Sequence, residues 1–356
     1  MTTYVVYSLD NAINEFFNSS TTVTRQQCDE YAISRAGGVS TALQMQGVCS
    51  YTVTAGPDNS KLFQFRDETS VIDMGNISLA KAVHPDFVAS CKYLGTMGEG
   101  SRPVHIYEME LLPGTPHIMA RIPLEDMARR GNTIKDFARF FAQSWNNNLQ
   151  PRLDTDTTTN LLTEFQSNFN LLAQNLPPRF TPNLDLVRKE LPSLFSSKAL
   201  LPYVLSHGDL NTMNILIDPK TGNLTGIVDW AESRILPFGF ALYGLENLLS
   251  WMDSEGWHYY DCYRELESLF WRTFREEAND FSISTADADL RLIRAARLAG
   301  FFYRYGFNFD AKGAVQGVRV EVDQPGGGDG GGGGSLAYLD AFCAAAAAAG
   351  EWDPLF

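Results

Sequence analysis

The chain has 356 residues, 44% of them hydrophobic and 20% charged, with a formal net charge of −14. That composition is globular and long enough for more than one domain; the acidic balance argues against a nucleic-acid partner, which draws on Lys and Arg, and weakly favours a cationic small substrate. No apolar run reaches a membrane span, and Met1-Thr2-Thr3-Tyr4 opens without a basic region or a long apolar core, so no membrane partner is expected and the expected location is cytoplasmic.

Residues 1–39 read as a helical segment with two helices. Ser8 caps residues 11–17, and Thr24 caps a stretch through Arg35 that stops at Gly37. From Ser40 the hydrophobic period changes, and residues 40–46, 50–55 and 61–66 are predicted as three strands. Gly47-Val48-Cys49 joins the first two, and the turn Gly56-Pro57-Asp58-Asn59 joins the next. Arg66 ends the third strand, and a guanidinium there can grip phosphate with two hydrogen bonds. Downstream, residues 70–81 offer Asp73, with Glu68 just before it. The apolar run 104–112 ends in Pro113-Gly114, which reads as the exit from one domain and the entry to the next.

Residues 115–200 are mostly helical by pattern, with Phe137, Phe140, Phe141, Trp145 and Leu149 forming a core stripe and Pro177-Pro178 breaking the run. The five cysteines, Cys28, Cys49, Cys91, Cys262 and Cys343, are odd in number and scattered. They read as reduced thiols rather than as a disulfide frame or a zinc site.

Chemistry concentrates in Ser206-His207-Gly208-Asp209-Leu210-Asn211-Thr212-Met213-Asn214 and in Ile227-Val228-Asp229-Trp230, whose Asp229 follows Asn214 by fifteen residues. Phosphoryl transfer needs a carboxylate near the acceptor hydroxyl and hard oxygen ligands for a metal ion. Asp209 meets the first need, and Asn214 with Asp229 meets the second. Between the two ligands lie two β-branched runs around Pro219-Lys220-Thr221-Gly222-Asn223, a predicted hairpin. A turn centred on Thr221 and Gly222 sets Asn214 opposite Asp229, where facing residues have Cβ atoms about 4.5 to 5.5 Å apart. His207 is read as a loop support rather than a base, since a carboxylate already fills that post.

These residues resemble the catalytic centre of the aminoglycoside phosphotransferase and choline kinase superfamily, and the stretch 230–239 resembles its fungal-type branch. The resemblance spans roughly residues 40–305. It implies an α+β, two-lobed protein-kinase-like fold: a small antiparallel-sheet N-terminal lobe over 40–109, a hinge at 110–114, and a larger, mainly helical C-terminal lobe over 115–356. The last includes a Gly-rich linker at 326–334 and an Ala-rich tail. It further implies that Asp209 is the catalytic aspartate, His207 its loop-ordering histidine, and Asn214 and Asp229 the Mg²⁺ ligands. Ser50, Arg66, Glu110 and Leu112 would lie on the nucleotide, Arg66 standing where the family carries a lysine. The glutamate that partners that lysine is missing from the middle of the following helix.

On the acceptor side the resemblance offers Glu232, Glu246 and Trp251. Aromatic faces with carboxylates in 251–261 can hold an ammonium group, and an aromatic packing layer explains the same residues. The expected function is ATP- or GTP-dependent phosphorylation of a small-molecule alcohol. Two alternatives stand beside it: a kinase-like nucleotide-binding or regulatory module without turnover, and an enzyme whose transient phosphorylation drives elimination, cyclisation or condensation. Fold does not fix the acceptor.

Overall fold

A computed structural model describes residues 7–98, 100, 102–149, 153–196, 201–253, 256–279, 281, 287–309, 314–319 and 336–348. The glycine run 326–334 and the chain past 348 lie outside them, as do Ser254 and Glu255. Two compact units emerge: Met1–Pro113 with Phe309–Ala314 and Gln324–Gly333, and Gly114–Asn308 with Val315–Asp323 and Gly334–Phe356. Among the described residues no helix is long and apolar enough to cross a membrane.

The first unit is built on a five-stranded antiparallel sheet. Its strands, in spatial order, are Thr41–Ala42, Ser50–Ala55, Lys61–Asp67, Val104–Glu110 and Cys91–Met97. Alternate residues Tyr51, Val53 and Ala55, then Phe63 and Phe65, then Val104 and Ile106 face one apolar core, the period of two that strands impose. The helices Leu9–Ser19 and Arg25–Ala36 close that core with Ile13, Phe16, Cys28 and Ala32. Both start where their caps predict: Ser8 Oγ accepts from Asn11 N–H, and Thr24 forms a reciprocal capping box with Gln27.

The first predicted strand is shortened to two residues. Beyond it Leu43 N–H still donates to Thr52 O at 3.0 Å, and the Gln46 side chain adds to that pairing, accepting from Thr52 N–H at 2.7 Å and donating to Thr52 O at 2.9 Å. The edge strand Cys91–Met97 carries mixed exposure and a bulge between Tyr93 and Gly95, so its sequence shows no clean alternation.

In the second unit the helices Met127–Asn146 and Tyr263–Glu277 pack through the Phe stripe. Phe137 and Phe141 lie 6.4 and 5.8 Å from Phe270 by ring centroid. Pro177-Pro178 opens a short 3-10 turn, Pro178–Phe180, ahead of helix Thr181–Leu194. Helix Asp287–Gly306 follows later in the chain. Two small sheets hold the motif region: Tyr203–Ser206 paired with Arg234–Pro237, and Thr115–Pro116, Ile215–Ile217 and Leu224–Ile227 in a row. A buried helix spans Tyr243–Leu249, and the aromatic segment after it is a hairpin of Ser250–Met252 with Trp257–Tyr259.

Candidate active site

Strand Tyr203–Ser206 is wholly buried and delivers the chain to His207 and Gly208. Gly208 has φ +85°, and a Cβ there would lie 2.3 Å from the Glu232 carbonyl oxygen, so the turn into Asp209 admits only glycine. His207 is 1% exposed. Its Nδ1 accepts from Asp209 N–H at 3.2 Å, which leaves Nε2 as the protonated nitrogen, donating to Val228 O at 2.9 Å. Burial pushes this imidazole below its ordinary pKa, with the charges of Asp209 and Asp229 opposing. The ring rests 4.6 Å from that of Trp230. His207 therefore links the two halves of the motif as a neutral strut.

Asp209 is held on every side. Oδ1 accepts from Asn211 Nδ2 at 3.0 Å and from Arg304 Nη2, and Oδ2 accepts from Asn214 Nδ2 at 3.1 Å. The loop backbone is pinned from helix Tyr243–Leu249: Tyr243 OH accepts from Leu210 N–H and Asn247 Nδ2 donates to Leu210 O, both at 2.8 Å. Gly244 allows this approach, because a Cβ there would sit 2.8 Å from the Leu210 Cβ.

The predicted hairpin forms, with a corrected register. Asp218 N–H donates to Asn223 O, centring the turn between Lys220 and Thr221, and a bulge at Thr225 shifts the ladder. Ile215 faces Ile227, and Asn214 O accepts from Val228 N–H at 3.0 Å. Asn214 is thus opposite Val228, one residue short of the expected partner. Asp229 lies past the strand end at φ 64° and ψ 64°, a left-handed backbone uncommon outside glycine. Helix Met127–Asn146 anchors the turn: Thr133 Oγ1 donates to Gly222 O at 2.6 Å, and Asp136 Oδ2 accepts from Asn223 Nδ2 and Leu224 N–H.

The donor set suits Mg²⁺, which takes oxygen ligands and few of them from protein. The Asn214 amide nitrogen donates to Asp209 O at 2.9 Å as well as to Asp209 Oδ2, so the amide oxygen is the atom turned away from the loop. Asp229 supplies a carboxylate one residue beyond Asn214's pairing partner.

The acceptor-side candidates fare differently. Glu232, half-exposed on the 3-10 turn Trp230–Glu232, accepts from Arg304 Nη1 at 3.3 Å. Burial raises its pKa, and Arg304 opposes the rise. Glu246 is 2% exposed and accepts from Arg297 and, at 2.7 Å, from Tyr259 OH. A carboxylate enclosed by an arginine and a tyrosine is a packing element, which corrects its expected place on the acceptor. Trp251 is exposed on its hairpin and packs on His258 at 4.6 Å.

Within the first unit, Ser50 is buried and its hydroxyl accepts from Gln64 Nε2 at 3.4 Å. Arg66 is buried too, its guanidinium donating to Ser70 O at 2.6 Å and Gln64 Oε1 at 3.1 Å. Asp73 caps helix Met74–Val83 by accepting from Gly75 and Asn76 N–H, so it is a cap rather than a partner for Arg66. Glu110 ends its strand with its N–H on Ser90 O, and Leu112 follows half-buried.

Arg304 is the site residue that no motif announces. It joins Asp209 to Glu232 from helix Asp287–Gly306, ninety-five positions after the aspartate.

A model of the phosphotransferase enzyme family matches residues 78–256, half of the chain. No curated protein matches it significantly. Among solved structures the chain is similar to the GDP and kanamycin complex of APH(2")-IIia, at 15% identity and TM-score 0.48, over 78% of this chain and 88% of that one. It is also similar to aminoglycoside phosphotransferase APH(3'')-Id from Streptomyces rimosus with ADP and streptomycin, at 12% identity and TM-score 0.46, over 78% and 99%. An aminoglycoside-3'-phosphotransferase of type VIII matches at 15% identity and TM-score 0.43, over 77% and 98%.

Proposed function

This chain belongs to the phosphotransferase enzyme family, and we infer from it that the loop 206–214 and hairpin 215–229 transfer the terminal phosphoryl group of ATP or GTP to a hydroxyl of a small molecule. In this reading Asp209 orients the acceptor hydroxyl and takes its proton. Asn214 and Asp229 hold Mg²⁺, which when bound offsets the negative charge of the phosphates. His207 fixes the loop by bonding Val228 O and Asp209 N–H. Arg304 steadies the Asp209 carboxylate through Oδ1. Arg66 braces the end of its own strand, bonded to Ser70 and Gln64.

The observation that carries the reading is the pair of hydrogen bonds from Asn214 Nδ2 to Asp209. They aim a carboxylate and an amide oxygen from one loop, which is what a base and a metal ligand require. Asp209→Asn is expected to lower turnover about 10²- to 10⁴-fold, the usual weight of a positioned base, with nucleotide affinity near that of the parent. Turnover left intact would remove Asp209 from the mechanism.

The binding-module alternative draws on Arg304, which already occupies Asp209 Oδ1. A thermal shift on adding Mg-ATP, with no nucleotide consumed against any acceptor, would favour it.

A further inference from the structure

We propose that the acceptor is an alcohol with a flat aromatic body and an anionic group, the ring stacking on Tyr338, Tyr305 and Trp257 and the anion bound by Arg319. This rests on the phosphotransferase reading above and names its substrate class.

The three rings form one cluster. Tyr305 and Tyr338 stack at 4.7 Å with 9° between planes, and Trp257 lies 4.3 Å from Tyr338. All three are partly exposed, and such faces favour offset stacking with another flat ring. A hydrogen-bond chain ties the cluster to the catalytic loop: Tyr305 OH donates to Asn247 Oδ1 at 2.9 Å, and Asn247 Nδ2 donates to Leu210 O, next to Asp209. Asn247 therefore links the ring cluster to the loop that carries the proposed base.

Two donors in the cluster call for negative charge. Arg319 is carried back beside helix Asp287–Gly306 by the pairing of Phe307–Phe309 with Val315–Val318, its backbone N–H on Gly306 O and its Nε on Phe307 O at 2.9 Å. Among the described residues no carboxylate pairs with it. Burial and the Arg304 charge both lower its pKa, so the half-buried cation is disfavoured until an anion joins it. The Trp257 indole N–H is buried and lacks an acceptor among the described residues.

The cationic acceptor expected from net charge has less to bind. Glu246 is enclosed by Arg297 and Tyr259, Glu232 is bonded to Arg304, and Asp253 to His258. An ammonium on the ring cluster would instead face Arg319.

Three matched probe sets test this by calorimetry on the full chain: hydroxymethyl-benzoates and -naphthoates, their methyl esters, and amino alcohols including kanamycin. The carboxylates are expected to bind, the esters about ten- to a hundredfold more weakly, the weight of a charge-assisted hydrogen bond. R319Q should lose the same factor for carboxylates and none for esters, while R319K, which keeps the charge and controls for folding, should recover part of it. Preference for the amino alcohols, no binding by any carboxylate, or equal carboxylate affinity in R319Q overturns the proposal. Carboxylates that bind through Arg319 yet yield no ADP with Mg-ATP uphold the pocket and overturn phosphoryl transfer instead.

Discussion

Gly208 sets where Asp209 stands. A methyl group at this position meets the Glu232 carbonyl at 2.3 Å and must be carried on a left-handed backbone. Gly208→Ala therefore displaces the aspartate rather than removing it. A shift of about 1 Å costs about a hundredfold in rate, so kcat should fall by that order while circular dichroism stays native. An unchanged kcat would show that the loop absorbs the methyl group. His207 acts through pH. The unfolded chain protonates this imidazole near about pH 6.5, whereas burial in the fold delays protonation to lower pH. The unfolded state then binds more protons, so stability falls as pH drops below about 6.5. Melting temperatures between pH 7 and 5.5 should decline more steeply for the parent than for His207→Gln; parallel slopes would assign the acid sensitivity elsewhere.

At the scale of elements, the hairpin 215–227 depends on a helix distant in sequence. Asp136 accepts from both Asn223 and Leu224 and is itself bonded to Arg139. Asp136→Ala leaves the buried Leu224 N–H without its acceptor, a loss of about 1 to 3 kcal/mol, and should weaken Mg-nucleotide binding through the loosened hairpin. A loss of stability with unchanged nucleotide affinity would separate the turn from the site. The hairpin itself was legible, because β-branched runs flank a cluster of turn residues. Its register was not: a turn centred one residue earlier than expected moves the partner of Asn214 back from Asp229 to Ile227, and the unpaired Thr225, which carries no signature, returns it one place to Val228. The strand Cys91–Met97 was hidden by its mixed exposure. The partnership of Arg304 with Asp209 was hidden by distance, because only tertiary packing brings it about. Glu246 shows the reverse failure: an acid among aromatics suggested an acceptor pocket, and burial against Arg297 decided otherwise.

For the molecule as a whole, hydrophobic period made the strands near 50–55 and 61–66 and the Phe-striped helix through 137–145 legible, whereas the two-lobed arrangement was an expectation from the motif's resemblance. A buried cation braces the helical unit. Arg297, 1% exposed, binds Glu246 and, at 2.5 Å, Glu267 from helix Tyr263–Glu277. Arg297→Met leaves two acids facing each other without their counter-ion and should cost about 3 to 5 kcal/mol, read as a lower urea midpoint. A loss under about 1 kcal/mol would mean that the acids are relieved by protonation.

Arg297 and Arg304 share helix Asp287–Gly306 and stand seven residues apart, close to two full turns, so they project from the same side. One grips the interior and the other grips the Asp209 carboxylate. The inner pair therefore sets the rotational phase of the helix, and with it the angle at which the catalytic carboxylate is presented. Substitutions remote from the reacting atoms but able to turn this helix should alter kcat before they alter folding, so the helix works as a tuning peg for the site.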